Sequence, residues 1–247
     1  MTVPLTMHPI IERVISEGRV FLTEIESKEL LGQAGIDVND TSLAESESEA
    51  VSISKQLGFP VVLKIASPDI IHKSDTGGIK LGLETPEQVE NAYDEILADA
   101  RRKYPQAKVQ GVSVQKMAGP GIEVIIGMTK DAQFGPVLMF GLGGVWTEIM
   151  EDVSLRITPV TRREVREMIE EIKSFRLLTG YRGQPPVDLS KLEDTLLAVS
   201  EFVEQNPMVK ELDLNPVIAS SDSAVAVDAR IVLEDPESIE HYERESR

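Results

Sequence analysis

The chain has no cysteine, and that absence removes disulfides, thiolate metal sites and cysteine nucleophiles at once. Aromatic residues make up only 4% of its 247 residues, so the core must be packed from valine, isoleucine, leucine and alanine. No apolar run approaches the roughly 20 residues needed to cross a bilayer, and the charge-flecked N-terminus lacks the apolar stretch of a secretory signal. A cytoplasmic protein with no membrane span is therefore expected. Positive charge is also scarce: 25 Lys and Arg stand against 42 Asp and Glu, a net charge of -17. Such a surface repels nucleic acid and anionic lipid at long range, so neither is an expected partner. An anionic nucleotide can bind only where lysine, arginine, backbone N–H groups and a divalent cation reverse the field locally. Function has to be sought in those few places.

The hydrophobic content of 41% and the length suit one large domain or two small ones. Pro9 to Glu17 reads as a weak helix. Glu24 to Ala34 reads as a better one that Gly35 ends. Ser46 and Glu49 have capping-box spacing before a helix that finishes near Leu57. Val61 to Ile65 is a short buried strand after Pro60, and Ile79 to Leu83 another. Thr85 and Pro86 open a clear helix with Val89, Tyr93, Ile96 and Ala100 on one face. Further strands are expected at Val109 to Lys116, Ile122 to Met128 and Pro136 to Phe140. A helix capped by Thr161 and Glu164 and one from Asp188 to Glu204 follow. Strands at Leu212 to Ala219 and Ala224 to Val227 finish the pattern, leaving a weakly packing charged tail after Glu234. This is an α+β chain with α/β-type layers, in two subdomains parted near residues 105–112, without internal repeats.

Lys64 sits in an otherwise apolar strand, where an ammonium is costly to bury without a partner. It is either an edge lysine reaching water or a charge held against phosphate. After it come Pro68, His72, Lys73 and the pair Gly77-Gly78. Adjacent glycines let backbone N–H groups approach an anion, and they also make ordinary turns. His72 could be a general base, a metal ligand, a phosphate acceptor or a residue without a role. With three histidines in the chain and no second His or Cys nearby, a transition-metal site is disfavoured. Gly141-Leu-Gly143-Gly144 lacks the spacing of a dinucleotide loop, and no Walker A motif occurs. In Glu211-Leu-Asp213-Leu-Asn215-Pro216 a period of two puts the polar residues on one strand face and the leucines on the other. Pairing with the strand that ends at Asp228 could bring Asp213, Asn215 and Asp228 together, a hard oxygen set suited to Mg2+. A plain polar sheet face is the alternative, and the apolar residues around Asp228 favour the metal.

Four phrases together resemble one family: Pro-Val-Val-Leu-Lys-Ile-Ala-Ser-Pro-Asp-Ile-Ile-His-Lys-Ser-Asp-Thr-Gly-Gly (60–78), Gly-Ile-Glu-Val-Ile-Ile-Gly (121–127), Phe-Gly-Leu-Gly-Gly (140–144) and Glu-Leu-Asp-Leu-Asn-Pro (211–216). The chain resembles, over roughly residues 22–232, the beta subunits of ADP-forming acetate–CoA ligases, which have an ATP-grasp fold. That resemblance implies two subdomains sandwiching the nucleotide. Residues 1–21 would then be an N-terminal extension, 22–110 the first subdomain, 111–234 the second and 235–247 the tail. It implies that Lys64 contacts the phosphates with help from glycine N–H groups such as those of Gly77 and Gly78, that Gln115, Lys116 and Met117 border the adenine, and that Glu123 lies in the nucleotide pocket; Gly143 and Gly144 belong to a phosphate-facing glycine loop. Arg156 is a further candidate phosphate ligand, and Asp213, Asn215 and Asp228 match the Mg2+ positions.

The resemblance also makes His72 the second phosphohistidine of a relay. It implies ATP or ADP and Mg2+ as cofactors, with CoA bound mainly by an alpha subunit in an α2β2 heterotetramer. Three other readings compete: an ATP-grasp ligase for a different acid, a biotin-type carboxylase or peptide-like ligase, and a non-catalytic nucleotide-sensing or scaffold subunit.

Overall fold

The structure, a computed structural model, describes residues 7–70, 77–144, 152–183 and 185–235. Two helices, α1 (Pro9–Ser16) and α2 (Glu24–Gln33), precede the first strand, and Gly35 follows α2 with φ +82° as a helix-ending glycine should. The chain divides into two compact units. The smaller holds residues 23–25 and 39–119, and the larger holds residues up to 22, 26–38 and from 120 onward.

In the smaller unit β1 (Thr41–Ala44), β2 (Val61–Ala66), β3 (Ile79–Leu83) and β4 (Gly111–Lys116) form an antiparallel sheet in the order β1-β4-β2-β3. Helices α3 (Glu47–Leu57) and α4 (Pro86–Lys103) pack on one face of it. Val61, Leu63 and Ile65 of β2 and Val112 and Val114 of β4 meet Ala50, Val89, Tyr93 and Ile96 of the helices in one core. The alternation of strand side chains therefore sends Lys64, Ser113 and Gln115 to the other face. α4 begins with a reciprocal capping box between Thr85 and Gln88.

The larger unit contains β5 (Ile122–Asp131), β6 (Gly135–Leu142), β7 (Val153–Ile157), β8 (Val209–Ala219), β9 (Ala224–Ala226) and β10 (Arg230–Leu233). The sheet order is β10-β8-β5-β6-β7, and β9 also pairs with β8. α5 (Arg162–Glu171), α6 (Phe175–Leu178) and α7 (Leu189–Gln205) complete it. Val124, Ile126, Leu138, Phe140, Leu212 and Leu214 enter a core shared with Val165, Met168, Leu192 and Leu196 of the helices. The capping box opening α5 is present, with Thr161 and Glu164 bonding reciprocally. No helix among the described residues is long and apolar enough to cross a membrane.

The units part at residues 119 and 120 rather than at the expected 110 and 111. The reason is β4, which pairs with both β1 and β2 and so belongs to the smaller sheet. Within the expected N-terminal extension, Ile10, Ile11 and Val14 of α1 are buried in the larger core. Strands β1, β7 and β10 were not expected, and β8 starts at Val209 rather than Leu212.

Asp152 fastens the start of β7 to the α5–α6 connection. Its Oδ1 accepts from the Lys173 N–H at 2.7 Å, and its Oδ2 accepts from the Ser174 N–H at 2.8 Å and from the Ser174 hydroxyl. Burial disfavours its charge, but the Ser174 hydroxyl and the two N–H groups outweigh that and hold the carboxyl below the usual range. Because the folded value is depressed, its stabilisation is complete above the ordinary aspartate value of about 3.9. It is lost as pH falls below that through the folded value. Asp152→Asn should therefore cost about 1–3 kcal/mol at neutral pH and flatten the acid limb of stability measured by urea titration from neutral pH downward.

Candidate functional site

β8 is hydrogen-bonded along both edges. β5 occupies one edge, with Gly127 opposite Asp213 and Thr129 opposite Glu211. β10 and β9 follow one another along the other edge, Arg230 opposite Asp213 and Ala226 opposite Val217. Asp228 falls in the gap between them, and the neighbouring Val227 N–H donates to Pro216 O at 3.1 Å. Leu212, Leu214 and Val217 are buried. Glu211, Asp213 and Asn215 alternate with the leucines and line a cavity of about 460 Å3 on the opposite sheet face. Ile125, Gly127 and Thr129 of β5, Val137 and Met139 of β6, and Arg230 of β10 line it too.

Burial pushes the Asp213 carboxyl above the ordinary carboxylate range, the charge of Asp228 adds to that, and Arg230 works against it. Asp228 itself is not among the residues that line the cavity. Among the described residues no group of three or more His, Asp or Glu side chains gathers that could hold a metal by itself. The third donor here is the amide of Asn215. Asp213 and Asn215 share the cavity, and carboxylate and amide oxygens are the donor types that Mg2+ takes, so the chemistry of these residues fits that ion.

Along the same face of β5, Glu123 stands two residues before Ile125, exposed and beside the end of β6. The Gly143 N–H donates to Glu123 O at 2.7 Å, and a Cβ on Gly143 would fall 2.9 Å from the Glu123 Cβ. No side chain fits there, so Gly143 is required by close approach. Gly144 has φ +80° and lies next to the Glu123 carboxylate. The structure thus brings Glu123, Gly143 and Gly144 together.

In the smaller unit Lys64 is buried, and its Nζ donates to Glu24 Oε1 at 2.7 Å. The reading of Lys64 as an edge lysine fails, since β2 is flanked by β4 and β3. Gln115 lies on the same sheet face, buried, with its Oε1 accepting from the Thr41 hydroxyl at 3.3 Å. Lys116 turns away and donates to Gly58 O at 2.6 Å and Phe59 O at 2.9 Å, while the Met117 side chain is exposed. Gly77 and Gly78 do not form a tight hairpin. They close the long connection between β2 and β3, with Gly77 at φ +71° and Gly78 O accepting from the Ile65 N–H at 2.7 Å. His72 and Lys73 lie outside the described residues.

Arg156 is placed differently from expectation. Its neighbour across β6 is the buried core residue Leu138, so it shares the helix-facing side of the sheet, and its guanidinium donates to Glu171 Oε2 at 2.8 Å. It stands across the sheet from Asp213. The cation that does line the cavity is Arg230, a residue sequence reasoning passed over. The available signal was its position two residues after Asp228.

A family model described as an ATP-grasp domain matches residues 13–233. The beta subunit of ADP-forming acetate–CoA ligase I of Pyrococcus furiosus is 46% identical over 224 residues, which span 91% of this chain and 96% of that one. ADP-forming acetate–CoA ligase I of Archaeoglobus fulgidus is 45% identical over 225 residues, 91% of this chain and 32% of that longer one. Among solved structures, the dinucleotide-forming acetyl-coenzyme A synthetase 1 of Ca. Korarchaeum cryptofilum, in complex with coenzyme A, Ca-AMPCP and HgCl+, is similar with a TM-score of 0.89. It is 45% identical, and the match covers 91% of this chain and 98% of that one. The chain belongs to the ATP-grasp family, among the beta subunits of ADP-forming acetate–CoA ligases.

Proposed function

We propose that this chain is the nucleotide-binding beta subunit of an ADP-forming acyl-CoA synthetase. With a CoA-binding alpha subunit it interconverts acyl-CoA, ADP and phosphate with free acid, ATP and CoA. The observation that carries the reading is β8, which turns Asp213 and Asn215 into one cavity, with Asp228 in the gap between the two strands on its edge. The division of labour is supported by the Archaeoglobus ligase, of which this chain spans 32%, and by the separate beta subunit of Pyrococcus. An α2β2 heterotetramer is the assembly proposed.

Asp213, Asn215 and Asp228 hold Mg2+, which when bound supplies positive charge to the phosphate oxygens. In the larger unit Glu123 belongs to the nucleotide pocket, and Gly143 and Gly144 form a phosphate-facing loop; in the smaller unit the Gln115–Met117 strand end borders the adenine. Lys64 donates to phosphate oxygens. Its ion pair with Glu24 offsets the cost of keeping an ammonium inside the protein. His72 is the phosphoryl carrier. A neutral imidazole nitrogen forms a new N–P bond as the N–P bond to a phosphohistidine of the alpha subunit breaks. A terminal oxygen of ADP then attacks, the N–P bond to His72 breaks, and neutral imidazole is restored with ATP as product. Acid selection resides on the alpha side.

Two experiments test this. Asp213→Asn should weaken Mg-ADP binding about tenfold or more by calorimetry, as expected for loss of a charged ligand, with little change when the metal is chelated. Equal affinities with and without Mg2+ in the wild type would remove the metal site. His72→Ala, assayed with the alpha subunit, should abolish ATP formation while the alpha subunit still converts acyl-CoA and phosphate to acyl phosphate. Unchanged ATP formation would sink the relay.

A further inference from the structure

One stretch of the larger unit has a charge opposite to that of the chain. Between Ile172 and Val187 the sequence carries Lys173, Arg176 and Arg182 and no acid, in a protein with 42 Asp and Glu. The flanking acids are engaged elsewhere: Glu171 pairs with Arg156, and Asp188 caps α7. Among the described residues Arg176 and Arg182 form no ion pair. Both guanidiniums lie instead over one ring, that of Tyr181, at 5.6 and 5.3 Å from its centroid.

Local structure holds this group in place. The Val187 N–H donates to Leu178 O at 2.9 Å, and both residues are buried, so the segment between them is a loop closed at its neck and fixed to the core. Within it Gly180, Arg182 and Gly183 have φ of +93°, +50° and +86°. Arg182 is the only non-glycine residue with positive φ among the described residues, a conformation that side chains rarely adopt. These left-handed residues turn the chain around Tyr181 and bring Arg182 back to the ring that Arg176 reaches from α6. Strain of this kind persists where the surroundings hold it, and it gathers at functional positions.

Residue type says what the group can bind. Arg176, Tyr181 and Arg182 are exposed, as are Leu177, Pro185 and Pro186. Tyrosine and arginine are the residues that most often dominate protein–protein contacts. A guanidinium over a ring keeps N–H groups for a carboxylate. The cavity that holds Asp213 is lined by β5, β6, β7, β8 and β10 and not by this loop. An exposed group of this kind suits a protein surface better than a small anion. Elsewhere the excess of acids repels an acidic partner, so such a partner has to be met where positive charge is concentrated.

We propose that Arg176, Tyr181 and Arg182 form a docking surface for an acidic segment of the alpha subunit, one that presents carboxylates to both guanidiniums. The inference rests on the reading of this chain as one subunit of a two-part ligase, and it names the place on the larger unit where that partner takes hold.

The test is association of the full chain with the alpha subunit, measured by calorimetry at low and at high salt. The proteins are the wild type, Arg176→Ala with Arg182→Ala, and Arg176→Lys with Arg182→Lys, each checked for native circular dichroism and for binding of Mg-ADP. The double alanine variant should associate about thirtyfold or more weakly at low salt, as for loss of two contact arginines. Wild-type affinity should fall toward the variant's as salt is raised. The double lysine variant should recover part of the loss, and Mg-ADP should bind all three proteins alike. Unchanged association of the double alanine variant would overturn the proposal, as would a matching loss of Mg-ADP binding. Inorganic phosphate that bound the wild type but not the alanine variant below about 1 mM would also overturn it, making the loop a small-anion site. A wild type that bound Mg-ADP but never associated with the alpha subunit would refute the two-subunit reading itself, an outcome distinct from association that the double alanine variant leaves unchanged.

Discussion

The larger unit is organised around β8, whose two edges are both hydrogen-bonded and whose two faces do opposite things. Leu212, Leu214 and Val217 face the helices in the core, and each buried side chain of this size contributes about 1.5–3 kcal/mol of apolar burial. Glu211, Asp213 and Asn215 point the other way into the cavity. A slip of one residue in register would bury the acids and expose the leucines. The energy of the core therefore also fixes where the oxygen donors stand. β9 and β10 extend the same logic, since pairing both to one edge of β8 leaves Asp228 in the gap between them, while burial holds the Asp213 carboxyl above its ordinary range.

In this strongly negative chain a few cations sit in defined settings. Lys64 is buried and matched to Glu24, which anchors the ammonium while lowering the penalty for its burial. Arg230 is exposed, held by an aromatic face and left without a carboxylate partner among the described residues. Many other basic groups are spent on structure. Arg162 and Arg166 both reach the buried Glu193 and tie α5 to α7, and Arg156 ties β7 to α5.

The sequence was most legible where local chemistry decides structure. Thr85 and Thr161 cap helices where their spacing said they would, and Gly35 ends α2. The polar face of Glu211 to Asn215 was readable for the same reason, because a period of two needs no tertiary information. What escaped depended on partners distant in sequence. Thr41–Ala44 has no alternating pattern and becomes a strand because β4 lies beside it. β7 carries exposed Val153, Leu155 and Ile157 around Arg156, a pattern that does not reveal which side meets the helices. That ambiguity misplaced Arg156, and the same dependence on pairing hid Arg230 and shifted the subdomain boundary past β4. The family resemblance supplied roles for Lys64, His72 and the metal set that alternation and spacing alone had left open.

The central claim is that this chain carries phosphate on His72 between the nucleotide and its partner subunit. It is tested most directly by incubating the full chain alone with Mg-ATP and mapping the modification by mass spectrometry under alkaline conditions. The account predicts one acid-labile, alkali-stable phosphoryl group on His72, lost when ADP is added. Phosphate on another residue, or none on a chain that binds Mg-ATP, would contradict it.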